Sequence, residues 1–552
     1  MLWHSTEGKY MTDDDFHSHA TSNASDDRLD DLLTRGTSRR ETLKALAAAG
    51  FFAAGGSSLL LGPKARAAEN TPKHGGHIRV AVSSSSTQDT LDPARGATAI
   101  DYCRDFMFYN GLTAYDEHLA PQPALAESFH SPDGGKHWVF KLRRGVTFHN
   151  GKAFAPEDVV FSIMRQKNPE TESKIKPLAD QIADVKASGD HEVTVTLVSP
   201  NVDFPSITAI SHMLIVPAGT TDFSKGIGTG PFKCKDFQPG VRSVAQRNPD
   251  YWKSGKPYLD AIEMVGIGDK SSRINALLSG GVQMINDVDP HAAKRLQSAP
   301  NTRLSAVNSG NYTDLIMRLD LQPGARPAFV EGMKYLLDRK RMKNIIYSGY
   351  AEIANDQPLP PTNPYYFAGL PQRPFDPDRA RSLFKKAGVA GAKLQIIASE
   401  AANGSVEMAT LLQQSAAQAD LKVQVKRAPA EGYWSNDWAK KPVTFGNINP
   451  RPTANILFSQ FFTSGAPWNE SHWHDPKFDQ LVVAARQEPD KAKRKQMYAD
   501  MQQMIHNSSG IGIPLFITDL TGYSHKLGGM DHKIPLGGML AHRFAEYVWW
   551  KG

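Results

Sequence analysis

Gly151-Lys152, with Gly145 upstream, is the first stretch whose residue types could do chemistry, because a glycine loop ending in lysine can cradle phosphates. The spacing argues against it: Gly145 lies one residue too far away, and Ala153 stands where a hydroxyl should reach magnesium. His472 and His474 beside Asp475 are a second candidate, since imidazoles two apart share one face of an extended segment and can bind a metal. Short pairs of this kind are more often solvated, so no metal is assigned. The chain contains no HExxH, no G-x-S-x-G and no zinc-spaced cysteines. Nothing therefore nominates a nucleophile beside a base, and neither a catalytic residue nor a cofactor is expected.

The elements around that glycine-lysine pair are clearer than any chemistry. Trp138, Phe140 and Leu142 alternate with Val139, Lys141 and Arg143, the period of a half-buried strand. Gly145 permits a turn, and Val146 and Phe148 resume the alternation, which predicts a second strand. His149-Asn150-Gly151-Lys152 is a further turn. Pro156 then opens a helix, Glu157 and Asp158 suit its positive end, and Val159, Val160, Ile163 and Met164 form a buried face.

With 552 residues the chain is too long for one ordinary core, which predicts two or three domains. A net charge of +6, with no long basic run and no lysine stripe among aromatics, gives no sign of nucleic-acid binding. The first residues are polar and acidic and read as disordered, with Met11 an alternative start. Ser38-Arg39-Arg40-Glu41-Thr42-Leu43-Lys44, the apolar run that follows and Ala65-Arg66-Ala67 read as an export signal cleaved near Ala67. No later stretch approaches the length of a membrane-spanning helix. Cys103 and Cys234 could pair in an oxidising compartment or remain free thiols; both readings stay open.

Leu142-Arg143-Arg144-Gly145-Val146-Thr147-Phe148-His149-Asn150-Gly151, followed by Phe154-Ala155-Pro156-Glu157-Asp158-Val159-Val160-Phe161-Ser162, resembles the signature region of the family 5 extracellular solute-binding proteins. These are the dipeptide-, oligopeptide- and nickel-binding components of bacterial ABC importers. Tyr109-Asn110-Gly111-Leu112, Gly228-Thr229-Gly230-Pro231-Phe232 and Arg247-Asn248-Pro249-Asp250-Tyr251-Trp252 are similar to three further motifs of that family, in the same order. The leader is similar to a twin-arginine signal, with Thr42 in place of the common phenylalanine.

The resemblance implies an α/β fold of the periplasmic binding protein type (type II, cluster C), with two lobes, a hinge and an inserted subdomain. Residues 72–112, 228–312 and 516–552 would form the first lobe, 113–227 the subdomain and 313–515 the second lobe, with hinge crossings near 311–319 and 514–520. It also implies a monomeric periplasmic receptor that captures peptides or peptide-like solutes. The receptor would work with a membrane ABC permease and its ATPase subunits, after export by the twin-arginine machinery. Peptide-binding relatives neutralise the ligand amine with an aspartate in a loop of the second lobe. The corresponding stretch here, residues 446–455, has no acid. An ammonium buried without a carboxylate is costly, which brings opines, sugar phosphates and nickel chelates in as alternatives.

In that stretch Asn447 and Asn449 could bind hydroxyls or amides, and Arg451 could grip a carboxylate or phosphate; equally, they merely shape a loop. Thr87, Gln88 and Asp89 follow the first strand, where α/β lobes expose ligand contacts. Arg318 faces the cleft or pairs with Asp320. Trp434, with Tyr433 and Trp438, stacks on a ligand or packs in the core; Trp468 and Trp473 carry the same two readings.

Overall fold

The computed structural model describes residues 71–551, so the leader, the twin-arginine motif and the cleavage site lie outside the described residues. From residue 72 onward the chain forms one unit, and the reason is a shared sheet. Two long strands, Thr302–Met317 and Leu515–Ser524, run antiparallel through its middle. At about 3.3 Å per residue the first of them spans roughly 50 Å, long enough to serve both halves of the molecule. Val443–Ile448 pairs with its far end. Beyond Leu515–Ser524 the order continues through Met284–Ile285, His77–Val82, Ala261–Gly266, Arg242–Arg247 and Phe232–Gln238. Ladder pairing is continuous, but the apolar cores stay distinct: one packs around Val80, Phe108 and Met264, another around Phe329, Met333 and Leu412.

A third core belongs to a separate four-stranded sheet of Ala126–His130, His137–Leu142, Glu192–Leu197 and Ile182–Gly189. The alternation expected over 137–142 is realised, with Trp138, Phe140 and Leu142 buried. The helix Pro156–Met164 starts at its proline, and Asp158 accepts from the Ala155 N–H at 2.9 Å. The second strand expected at 146–148 does not form. Only an isolated bridge, Thr147 to Ala153, joins the two arms of the turn. The backbone N–H of His149 donates to Gly228 O at 2.8 Å instead, so that arm is tied to a distant turn rather than to a neighbouring strand.

That distant turn shows what the repeated motifs do. The ring N–H of His149 donates to Gly230 O at 3.0 Å, and Asn248 Nδ2 donates to the same oxygen at 3.0 Å. Asn110 Oδ1 accepts from Thr229 Oγ1 at 3.2 Å and from Trp252 Nε1 at 2.9 Å. A β-carbon on Gly228 or Gly230 would overlap the Phe108 carbonyl, so only glycine lets the strand pass there. Four motifs scattered over 140 residues are one hydrogen-bonded joint. They hold the fold together, and none of them lines either cavity described below. Cys103 and Cys234 are both free thiols against one core, Cys103 fully buried.

Candidate functional site

A cavity of about 740 Å³ opens between the first two cores, within the usual range for a small-molecule site. One wall comes from the helix Ala99–Phe108, residues 209–212 and residues 537–543; the other comes from residues 400–407 and 449–460. Residues 517–520 of the central strand close the back.

The central strand pair is irregular where it meets this cavity. Asn308 pairs with Thr518 and Asn311 with Ile517, so Ser309 and Gly310 are extra residues in a bulge. Gly310 takes φ +85, which a β-branched or bulky side chain would not tolerate. The bulge turns the Ser309 hydroxyl onto Asp519, to which it donates a short hydrogen bond. Asp519 lines the cavity, and burial pushes its carboxyl up to about 6 against the opposing pull of Ser309.

Arg451 faces the same space from the other wall. Its Nε donates to Gln460 Oε1 at 2.8 Å and its Nη1 to Asn449 O at 2.9 Å, while the guanidinium stacks 5.3 Å over the Phe461 ring. Among the described residues no carboxylate lies within ion-pair distance of it. Burial lowers its pKa below the ordinary value, with only Tyr102 and Tyr312 opposing. Tyr102, on the facing helix, sits 5.5 Å from the rings of both His212 and His542. Burial pushes His542 down to about 4 and lowers His212, so both rings beside Tyr102 are neutral at pH 7. The adjoining Arg543 pairs with Glu546 at 3.3 Å, a carboxylate it shares with Lys253 and Lys256.

Met539, Leu540, Ala541 and His542 all take positive φ, between 54° and 64°. A left-handed turn of L-residues costs roughly 1–2 kcal/mol per residue, and strain of this kind collects at functional sites. It persists here because Met539, Leu540 and Ala541 are buried and the Met539 N–H donates to Thr521 Oγ1 at 3.1 Å.

Of the residues singled out by sequence, Asn449, Arg451 and Trp468 line the cavity. The others do not, each for a local reason. Thr87 and Gln88 are exposed on the far side of their loop, and Asp89 is buried in an ion pair with Arg104 at 3.0 Å. The Ser86 N–H, the Ser85 hydroxyl and Arg104 overcome the upward push of burial and hold the Asp89 carboxyl below its ordinary value. Asn447 points along the sheet, where its amide donates to Thr313 Oγ1 at 3.1 Å. Arg318 pairs with Asp320, and Trp434 lies with it in a different hollow. Asp475 caps the helix Pro476–Gln487, and His472 faces Asp320 at 3.4 Å, so this trio is divided among other partners. Asp519, Tyr102 and the left-handed turn were missed. The signals available were Thr518-Asp519 interrupting an apolar strand and the paired glycines Gly537-Gly538.

A buried acid supports the second wall without facing the cavity. Asp314 and Glu470 press their carboxyls together under the strand Val443–Ile448, leaving room only for Gly446 between them. Burial raises both, Asp314 to about 7, and the Trp438 indole N–H donates to Glu470 at 2.6 Å. The folded pair holds protons that an unfolded chain releases near pH 4, so stability falls as pH rises from about 4 through 7. Glu470→Gln can still accept from Trp438 and can donate to Asp314. We expect its urea-unfolding free energy to match the parent at pH 5 and exceed it by about 1–2 kcal/mol at pH 8. Identical pH profiles for the two proteins would rule out a shared proton.

A family model for the bacterial extracellular solute-binding proteins, family 5 (middle), matches residues 120–470. The chain belongs to this family. Among curated relatives, the glutathione-binding protein GsiB of Escherichia coli is 28% identical over 519 residues, covering 88% of this chain and 96% of that protein. The ABC transporter-associated periplasmic binding protein DppA from Helicobacter pylori, solved in complex with the peptide STSA, superposes with a TM-score of 0.75 at 21% identity, covering 88% of this chain and all of that one. AgaA of A. tumefaciens, solved with agropinic acid, gives 0.73 at 22%, covering 86% and 99%. These likenesses show the fold of a periplasmic binding protein, and the family the chain belongs to is that of the bacterial extracellular solute-binding proteins.

Proposed function

We propose that the cavity takes a short peptide or peptide-like zwitterion, its carboxylate on Arg451 and its ammonium directed at Asp519. The observation that carries this reading is the half-buried guanidinium of Arg451, held in place by Gln460 and backbone carbonyls but lacking a carboxylate. A charge-assisted pair with a ligand carboxylate supplies what the fold leaves out. Asp519 answers the missing acid of residues 446–455 from a different element, the central strand. GsiB is named for glutathione and DppA was solved with a peptide, which supports the class.

In this reading residues 72–112, 228–312 and 516–552 move against residues 313–515, with 113–227 carried on the first lobe. The Ser309-Gly310 bulge lies at the crossing. Closure is a ligand-biased shift between conformations. The chain leaves the cytoplasm through its twin-arginine-type leader, loses it near Ala67, works as a monomer, and catalyses nothing. Turnover of added peptide by substoichiometric protein would overturn the last point.

Native mass spectrometry of the mature protein from its own periplasm, followed by denaturation, identifies the bound solute. A released peptide supports the proposal; a sugar phosphate or a nickel chelate overturns it. Affinity should also fall about tenfold between pH 7.5 and pH 5, because Asp519 loses its charge as pH drops through about 6. In Asp519→Asn that pH dependence should vanish, and calorimetric titration with reduced glutathione and with triglycine reads it directly.

A further inference from the structure

Trp434, Trp438, Trp468 and Trp473 converge on a second hollow, of about 570 Å³, that shares only the Trp468 wall with the cavity described above. Large aromatic side chains are normally covered, yet Trp434 and Trp468 are 41% and 39% exposed here. The rings of Trp434 and Trp438 meet at 79° with centroids 5.6 Å apart, forming a corner whose faces can stack a flat molecule. The Ser464 hydroxyl, on the lining, is buried with no hydrogen-bond partner.

Charge narrows the guest. Aromatic corners often hold cations, but no aspartate or glutamate lines this one, and Lys440 and His474 do. Arg318 is already satisfied by Asp320 and the Ala439 carbonyl. A cation would meet like charge, whereas an anion would meet Lys440.

We propose that this hollow is a second binding site, for a small ring compound carrying a carboxylate. The ring stacks in the Trp434–Trp438 corner, the carboxylate lies toward Lys440, and the Ser464 hydroxyl gains a partner. Two kinds of molecule share that chemistry, aromatic acids and acidic sugars. The hollow meets the peptide cavity only at Trp468, over which Arg451 lies at 5.8 Å, so the site is read at Trp434 and Lys440, which the peptide reading does not use.

The test is a titration of the mature protein with phenylacetate, glucuronate and phenyltrimethylammonium, followed by tryptophan fluorescence and saturation-transfer NMR. We expect one of the two acids to bind with a Kd of about a millimolar or tighter and the cation to bind more weakly. Phenylacetate alone binding would assign aromatic acids, and glucuronate alone acidic sugars. Trp434→Ala, an exposed position checked by its melting curve, should weaken the bound acid about three- to tenfold, and Lys440→Ala should do the same. Failure of both acids to bind, equal binding of the cation, or full affinity in Trp434→Ala would overturn the proposal.

Discussion

Arg451→Ala should weaken binding of a carboxylate-bearing solute by about ten- to a hundredfold. A hydrogen bond to a charged group is worth about 1.5–3 kcal/mol, and 1.4 kcal/mol is a factor of ten. Calorimetric titration with reduced glutathione measures it. Arg451→Lys should recover little, because the Gln460 and Asn449 contacts use the planar fork of the guanidinium, which an ammonium lacks. The same substitution should cost little stability. The folded protein already bears the desolvation of this cation without a carboxylate in return, so relief of that cost offsets the lost Gln460 and Asn449 bonds and the Phe461 stack. Low affinity with an unchanged melting temperature is therefore the signature. An affinity within threefold of the parent would show that Arg451 serves only its own loop.

Arg104→Leu should act in the opposite way, lowering stability by about 3–5 kcal/mol, the usual result of stranding buried charges. Arg104 is fully buried and holds Asp89 at 3.0 Å, Asp101 at 3.5 Å and Ser243 Oγ at 3.1 Å. Behind it, Asp105 has no hydrogen-bond partner on either oxygen, and burial raises its pKa well above the ordinary value. Without the guanidinium, Asp89 and Asp101 have no cation. Urea unfolding should show a lower midpoint at unchanged slope, and Asp89→Asn in the same chain should recover part of the loss. A cost below about 1 kcal/mol would mean that solvent reaches the cluster. This ion-pair cluster is also why the loop after the first strand serves the fold rather than the ligand.

The two expectations divide along a physical line. Local pattern was readable wherever neighbours in sequence decide the outcome. The alternation of Trp138, Phe140 and Leu142 produced its strand, and Pro156 with Asp158 opened the helix to Met164. Order and spacing of the motifs carried the family, because His149, Asn110, Thr229, Asn248 and Trp252 build one joint and tolerate few alternatives. Val146 and Phe148 alternated as well, but they bond only across their own turn, and the next residue, His149, is tied to Gly228 some 80 residues away, which no local pattern reports.

Which residues face the ligand was decided by tertiary structure. Arg451 was readable as an uncompensated cation in an acid-free stretch, and its chemistry followed from its type. Asn447, two residues from Asn449, was indistinguishable from it in sequence. Strand alternation alone would put both on one face, but the strand ends at Ile448: pairing with Thr313 commits Asn447 to the sheet, and Asn449 already lies in the loop. Asp519 and Ser309 are 210 positions apart and meet only because the bulge at Ser309-Gly310 offsets two antiparallel strands. Sequence by itself determined the family, the elements and the charge available to the site. The walls of the cleft depend on long-range register and on a left-handed turn held by burial, and those exist only once the chain has folded.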